Sequence, residues 1–183
     1  MRVLVVYGTT EGHTRKLAGF IGERLKGAHS GVTVADAASM APPDPALYDA
    51  VIIAASLHVG SYQTSVVHYA RHHREALNAM PSAFVSVSLS AAGDDPDDWA
   101  GLDACVRTLE AQTGWKPKRI HHAAGAILFS AYDFFRKFAM KQIARARGQK
   151  VVTTEDYDYT DYELLGAFVD SFVGEFAPAT QSV

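Results

Sequence analysis

Short apolar runs alternate with amphipathic stretches along most of this chain, and that alternation constrains the fold more than any other feature. Val3–Tyr7, Val32–Ala37, Val51–Ser56 and Ala83–Leu89 read as strands, and Arg119–Ile127 as a fifth. Strands this short and this apolar on both sides belong to a parallel sheet covered on both faces. Between them, Leu17, Ile21 and Leu25 recur at helical spacing, which predicts a helix over 12–26. Val66, Ala70 and Leu77 share one face of a helix predicted over Thr64–Leu77. Further helices are expected at Leu102–Gln112 and Tyr162–Phe176, with the tail 177–183 frayed. Five strands in 183 residues fit an open, doubly wound α/β sheet better than an eight-stranded barrel. With no internal repeat and no linker, residues 1–176 are expected to form a single domain.

Composition excludes several classes. A net charge of −3 argues against a general nucleic-acid binder, and the single Cys105 excludes an internal disulfide. Cys105 itself reads as a small buried hydrophobe. The apolar runs are far shorter than the ~20 residues of a membrane span, so a cytoplasmic protein is expected.

In open α/β sheets, ligands bind beyond the carboxyl ends of the strands. Three loops leave such ends. The first, "YGTTEGHT" at 7–14, has no lysine or arginine and matches neither the P-loop nor the dinucleotide fingerprint. It offers the hydroxyls of Thr9, Thr10 and Thr14 around Gly12, with Glu11 and His13 between, at a strand-to-helix turn. Backbone N–H groups and the helix dipole there suit a single phosphate. A capping role for Thr9 is the plainer alternative. The second loop, 55–64, has Gly60 for a tight turn, Ser56 as a small polar group, Leu57 and His58 between them, and Tyr62 as a flat ring to stack on a ligand. The third, 88–99, brings Ser88, Leu89, Ser90, Ala91 and Gly93. Its acids Asp94, Asp95, Asp97 and Asp98 lack calcium-loop spacing and read as a solvated acidic loop with a docking role.

Residues Tyr7, Thr9, Gly12 and Thr14 form a pattern that resembles the FMN phosphate loop of flavodoxins. This implies a flavodoxin-like five-stranded parallel sheet of order 2-1-3-4-5. It also implies that Thr9–Thr14 hold the phosphate of FMN, while Ser56–Tyr62 and Ser88–Gly93 flank its ring. "AASLHVGSYQ", "NAMPSAFVSVSL", "GWKPKRI" and "GAI" further resemble the menaquinone-dependent protoporphyrinogen IX dehydrogenase family. That resemblance implies an FMN-dependent oxidoreductase of haem biosynthesis. It would take electrons from a porphyrinogen or other small reduced substrate and pass them to a quinone. A flavodoxin-type electron carrier and an NAD(P)H:quinone reductase are the alternatives. A receiver-like signalling domain would need acids where this chain has Tyr7 and Gly8.

One segment exceeds a minimal version of this plan, an insert at about 128–158, after or within the fifth strand. Phe134, Phe135 and Phe138 fall on the apolar half of its helical wheel. Arg136, Lys137 and Lys141 fall mostly on the other. Residues 130–150 carry six Lys/Arg against one Asp. Their net +5, within a chain total of −3, leaves −8 for the remainder. The segment has two readings: a helix resting on anionic lipid at the cytoplasmic membrane face or on substrate, or a helix docked on its own domain. In the second reading it would pair with the acids of "TTEDYDY". No catalytic residue is demanded; His58, beside the expected flavin, is the candidate for relaying a proton. His68 and His72 lack a third metal ligand, and no metal is expected. Trp115 reads as packing. Oligomeric state is open.

Overall fold

The computed structural model describes residues 1–27, 31–127 and 156–176. Strands β1 (Arg2–Gly8), β2 (Gly31–Asp36), β3 (Ala50–Ser56), β4 (Ser82–Ser88) and β5 (Arg119–Ala124) form one sheet of order β2-β1-β3-β4-β5. Every ladder is parallel, with Val3 opposite Val32, Val5 opposite Ile52, Ile53 opposite Phe84 and Phe84 opposite Ile120. Helices α1 (His13–Lys26), α2 (Thr64–His72), α3 (Arg74–Ala79), α4 (Pro96–Thr113) and α5 (Tyr162–Phe176) accompany it. This is the flavodoxin-like doubly wound arrangement expected from the sequence.

Both faces of the sheet are covered, which explains why its central strands do not alternate with polar residues. Val3, Val5 and Tyr7 pack against Leu17, Ile21 and Leu25 of α1 and against Leu165, Val169 and Phe172 of α5. The intervening Leu4 and Val6 pack on the other side with Val66 and Leu77 of α2 and α3, Leu109 of α4, and Trp115. Val3, Leu4, Val5 and Val6 are wholly buried. Each such side chain contributes roughly 1.5–3 kcal/mol of burial energy before chain entropy is charged against it. Cys105 is half-buried against the second cluster.

Three elements depart from the sequence reading. The helix expected over 64–77 is two helices, broken at His73 (φ −102°, ψ 17°). Helical periodicity survives a one-residue break, because Leu77 still reaches the core. The fourth helix begins at Pro96 instead of Leu102. Asp95 caps it by accepting from the Asp97 N–H, Pro96 fills the first turn, and Asp97 and Asp98 face the positive end of the dipole. The acidic run is thus largely a helix start rather than a free loop. The fifth strand stops at Ala124, because Gly125 crosses the end of β4, donating its N–H to Ser88 O. A Cβ at Gly125 would sit 3.3 Å from the Ser88 carbonyl carbon. Beyond it, β6 (Ala126–Ile127) pairs antiparallel with β7 (Tyr157–Asp158), so the chain leaves and returns side by side. Phe134, Phe135, Arg136, Lys137, Phe138 and Lys141 lie outside the described residues, as does the tail. Among the described residues no helix is long and apolar enough to cross a membrane.

Trp115 is fully buried, with its Nε1–H donating to Ser82 Oγ at 3.0 Å and that hydroxyl donating to Leu77 O at 2.8 Å. It joins α3, β4 and the segment entering β5. Trp115→Ala should cost about 3–5 kcal/mol in urea denaturation, and Trp115→Phe about 1–2 kcal/mol, from the smaller ring and the lost hydrogen bond to Ser82 Oγ, which still donates to Leu77 O.

Candidate functional site

The chain passes from β1 outward to β2 and then back across to β3, so the loops after β1 and β3 diverge at the carboxyl edge of the sheet. They frame a cavity of ≈ 250 Å³, completed by the loop after β4 and the Gly125 turn. Of the residues expected to bind a cofactor, Thr9, Glu11, His13, Thr14, Ser56, Leu57, His58, Gly60, Ser88, Leu89 and Ser90 line it. Thr10, Gly12, Tyr62, Ala91 and Gly93 do not.

One end of the cavity is built for an anion. Thr9 Oγ1 accepts from the Gly12 N–H at 2.9 Å, which closes the loop, so Thr9 braces the turn without capping the helix. Gly12 adopts a left-handed backbone (φ 92°) just before α1, where a side chain would be strained. No side chain caps α1, and the first N–H groups of any helix lack intrahelical acceptors. Thr14 is only 1% exposed, yet its Oγ1 has no hydrogen-bond partner among the described residues. Leaving a buried hydroxyl unsatisfied costs roughly 1–3 kcal/mol. A phosphate at this helix start would accept from it, so the residues present fit a phosphate. Thr10 faces away and accepts from Gln63 Nε2 at 3.2 Å.

The rest of the lining mixes apolar Leu57, Val59, Val87, Leu89 and Ala126 with Ser56, His58, Ser88 and Ser90. His58 and Ser61 exchange both backbone hydrogen bonds across a two-residue turn in which Val59 (φ 48°) and Gly60 (φ 77°) are both left-handed. That geometry is natural for Gly60 but strained for a β-branched valine, and Val59 is 95% exposed. Tyr62 lies outside the cavity lining. It is 8% exposed, meets Phe84 edge-on, and shares a 2.8 Å hydrogen bond with Ser86. Burial pushes its hydroxyl pKa up to about 12. The turn ends at Ser61, and the next residue re-enters the core. Ala91 and Gly93 are carried off by a 3-10 turn over Ser90–Ala92, and the Gly93 carbonyl accepts from Trp99 Nε1. Val59 fell within the expected Ser56–Tyr62 stretch without being singled out, and Val87, Gly125 and Ala126 were not candidates from the sequence. Only Gly125, a glycine late in an apolar run, carried a signal.

His58 Nε2 lies 3.4 Å from Glu11 Oε2, so the two side chains meet across the first two loops. His68 and His72 sit on α2 away from the cavity, and no metal-holding group of His, Cys, Asp or Glu occurs among the described residues. The basic segment lies outside the described residues, and among the described ones Asp158 turns to α1 and its own neighbours. It accepts from Lys16 Nζ at 2.7 Å, from Tyr162 OH at 2.8 Å and from the Thr160 N–H at 3.0 Å. Beside it, His13 Nε2 lies 2.9 Å from Thr160 Oγ1, which donates to Ala124 O. The root of the insert is therefore fastened to the phosphate loop and α1.

Burial raises the Asp158 pKa, but the hydrogen bonds from Lys16, Tyr162 and Thr160 outweigh it and hold the carboxyl well below the usual range. A depressed folded-state pKa contributes stability that is present above the unfolded value of about 3.9 and lost as the pH falls through the folded value. Asp158→Asn should therefore lower the melting temperature at pH 7. The variant should also lose less stability than the parent on acidification below pH 4, read by thermal denaturation across pH.

The flavodoxin domain profile matches residues 4–154. The chain is 30% identical over 168 residues to the protoporphyrinogen IX dehydrogenase (quinone) of Escherichia coli K12, covering 92% of each protein. It is also 30% identical over 175 residues to the protein of that name from Leishmania major, covering 93% of this chain and 74% of that one. Among solved structures, oxidised flavodoxin 1 from Bacillus cereus superposes with a TM-score of 0.54 at 13% identity, over 97% of this chain and all of that one. The apo form of the NADH:FMN oxidoreductase EMOB gives 0.55 at 12% identity, over 98% and 91%. These structural likenesses speak for the fold alone. The chain is a flavodoxin-domain flavoprotein and belongs to the protoporphyrinogen IX dehydrogenase family.

Proposed function

We propose that the cleft holds FMN and that the protein dehydrogenates protoporphyrinogen IX, or a closely similar reduced substrate, with a quinone as electron acceptor. Kinship supports the reaction. The single observation that supports the cofactor is the buried Thr14 hydroxyl without a partner, at the start of α1 in a cavity that also has apolar lining. A phosphate on a flat, largely apolar ring system matches both features.

Bound flavin supplies hydride or one-electron chemistry. The chain's own residues do the rest. Thr14 and the first N–H groups of α1 bind the phosphate. The His58–Ser61 turn and the Ser88–Ser90 backbone orient the ring, and Leu57, Val87 and Ala126 keep water from its face. His58, close to Glu11, is placed at the cavity to accept a proton released from substrate when its ring is neutral. The positive excess in residues 130–150 suits the carboxylates of a porphyrinogen or an anionic lipid surface. Co-sedimentation with anionic vesicles that vanishes at high salt would support the lipid contact.

Purified protein should bind one FMN and show the yellow absorption of oxidised flavin. Thr14→Val should weaken FMN binding roughly 10–100-fold and leave riboflavin binding little changed, read by quenching of flavin fluorescence. Mixed anaerobically with protoporphyrinogen IX and menadione, the loaded protein should produce porphyrin fluorescence above the rate without protein. An electron carrier sharing this fold would give no such catalysis.

A further inference from the structure

His13 occupies the first position of α1 and lines the cavity, with only 10% of its side chain exposed. Its hydrogen bonds specify where its proton lies. The Thr160 hydroxyl spends its hydrogen on Ala124 O, at 2.9 Å. Thr160 Oγ1 can therefore only accept at its 2.9 Å contact with His13, and His13 Nε2 must be the donor. A neutral imidazole carries one N–H, so in the neutral ring Nδ1 has a lone pair and no hydrogen. A phosphate entering the cavity beside such a ring meets a lone pair rather than a donor, unless the ring takes up a second proton.

We propose that His13 is the cationic element of a phosphate site whose described lining holds no lysine or arginine: binding of a phosphate monoester is coupled to protonation of His13 at Nδ1, with Thr160 as its positioning residue. This rests on the reading of the cleft as an FMN site and goes beyond it. The surroundings support the charge change. Asp158 Oδ1 lies 3.7 Å from His13 Nε2 and would steady an imidazolium. That carboxylate is held ionised by Lys16, Tyr162 and Thr160. Lys16, sharing Asp158, opposes the extra proton, as does burial, and together they keep the ring neutral before a ligand arrives. Glu11 and His58 also line the cavity, with Glu11 Oε2 3.4 Å from His58 Nε2. A phosphate monoester, with a second pKa of about 6, brings close to two negative charges at pH 7 and tips the balance toward the imidazolium. No proton is lost in the step: one moves from solvent to Nδ1 as the ligand docks.

The sign follows from linkage. Because the complex binds one more proton than its parts, FMN affinity should fall as pH rises above neutrality, by up to roughly tenfold per unit. The test is ¹⁵N NMR of histidine-labelled protein, free and loaded with FMN or with riboflavin, together with FMN affinity between pH 6.5 and 8.5. At pH 7, His13 should be the neutral Nε2–H form in free protein and with riboflavin, and doubly protonated with FMN. His13→Gln should bind FMN more weakly with a flatter pH dependence. Thr160→Val should flatten it too, and Thr160→Ser should restore it. A His13 that stays neutral with FMN bound, or a His13→Gln protein with the parental pH slope, would overturn the proposal while leaving the cleft reading standing. A protein that binds no FMN at any pH would sink the cleft reading first.

Discussion

Burial of β1 on both faces is the constraint from which the rest of the molecule follows. Val3, Leu4, Val5 and Val6 have no exposed surface, and they contact α1 and α5 on one side and α2 through α4 on the other. A strand so enclosed cannot shift in register without exposing apolar surface on two faces at once. Its carboxyl end is therefore fixed in space, at the point where the chain's path reverses between β2 and β3. The loop that follows inherits that position. Its tight exit at Gly8, where a Cβ would collide with Val66, and its left-handed Gly12 deliver α1 with its amino end facing the cavity. Phosphate binding by main-chain dipoles needs that rigidity, because no long flexible cation in the loop can make up for a misplaced turn.

A second constraint acts from the far end of the sequence. The turn at Gly125 lets the chain cross β4, and the short β6–β7 pairing brings residues 157–162 back against α1. There Asp158, Thr160 and Tyr162 engage Lys16 and His13. The lining of the cleft thus depends on contacts between residues almost 150 positions apart. A five-stranded sheet of this order does not need this clasp, which joins α1 to the segment that follows the insert. It makes the root of the basic insert and the phosphate loop neighbours.

Much of this was legible in the residues. Apolar runs bounded by turn residues located all five strands to within a residue or two, apart from the early end of β5, because double burial leaves a simple signature. The first cavity loop was legible because its threonines and glycine follow a strand directly. What escaped was of two kinds. Asp95-Pro96-Asp97-Asp98 is a helix start, but its acids also suit a solvated loop, and the apolar positions that confirm the helix come later. Tyr62 suits a flat ligand as readily as a core, and one residue of turn geometry at Val59–Gly60 decides which way it points.

Sequence alone determined the sheet, its covering helices and the kind of chemistry the first loop can perform, since these depend on local pattern and on spacing along the chain. Tertiary structure decided which side chains share the cavity. It sent Tyr62 inward, brought Gly125 and Ala126 to the rim, set His58 against Glu11, and placed Thr160 on His13. Those outcomes turn on turn angles and on contacts between distant segments, which no local pattern encodes.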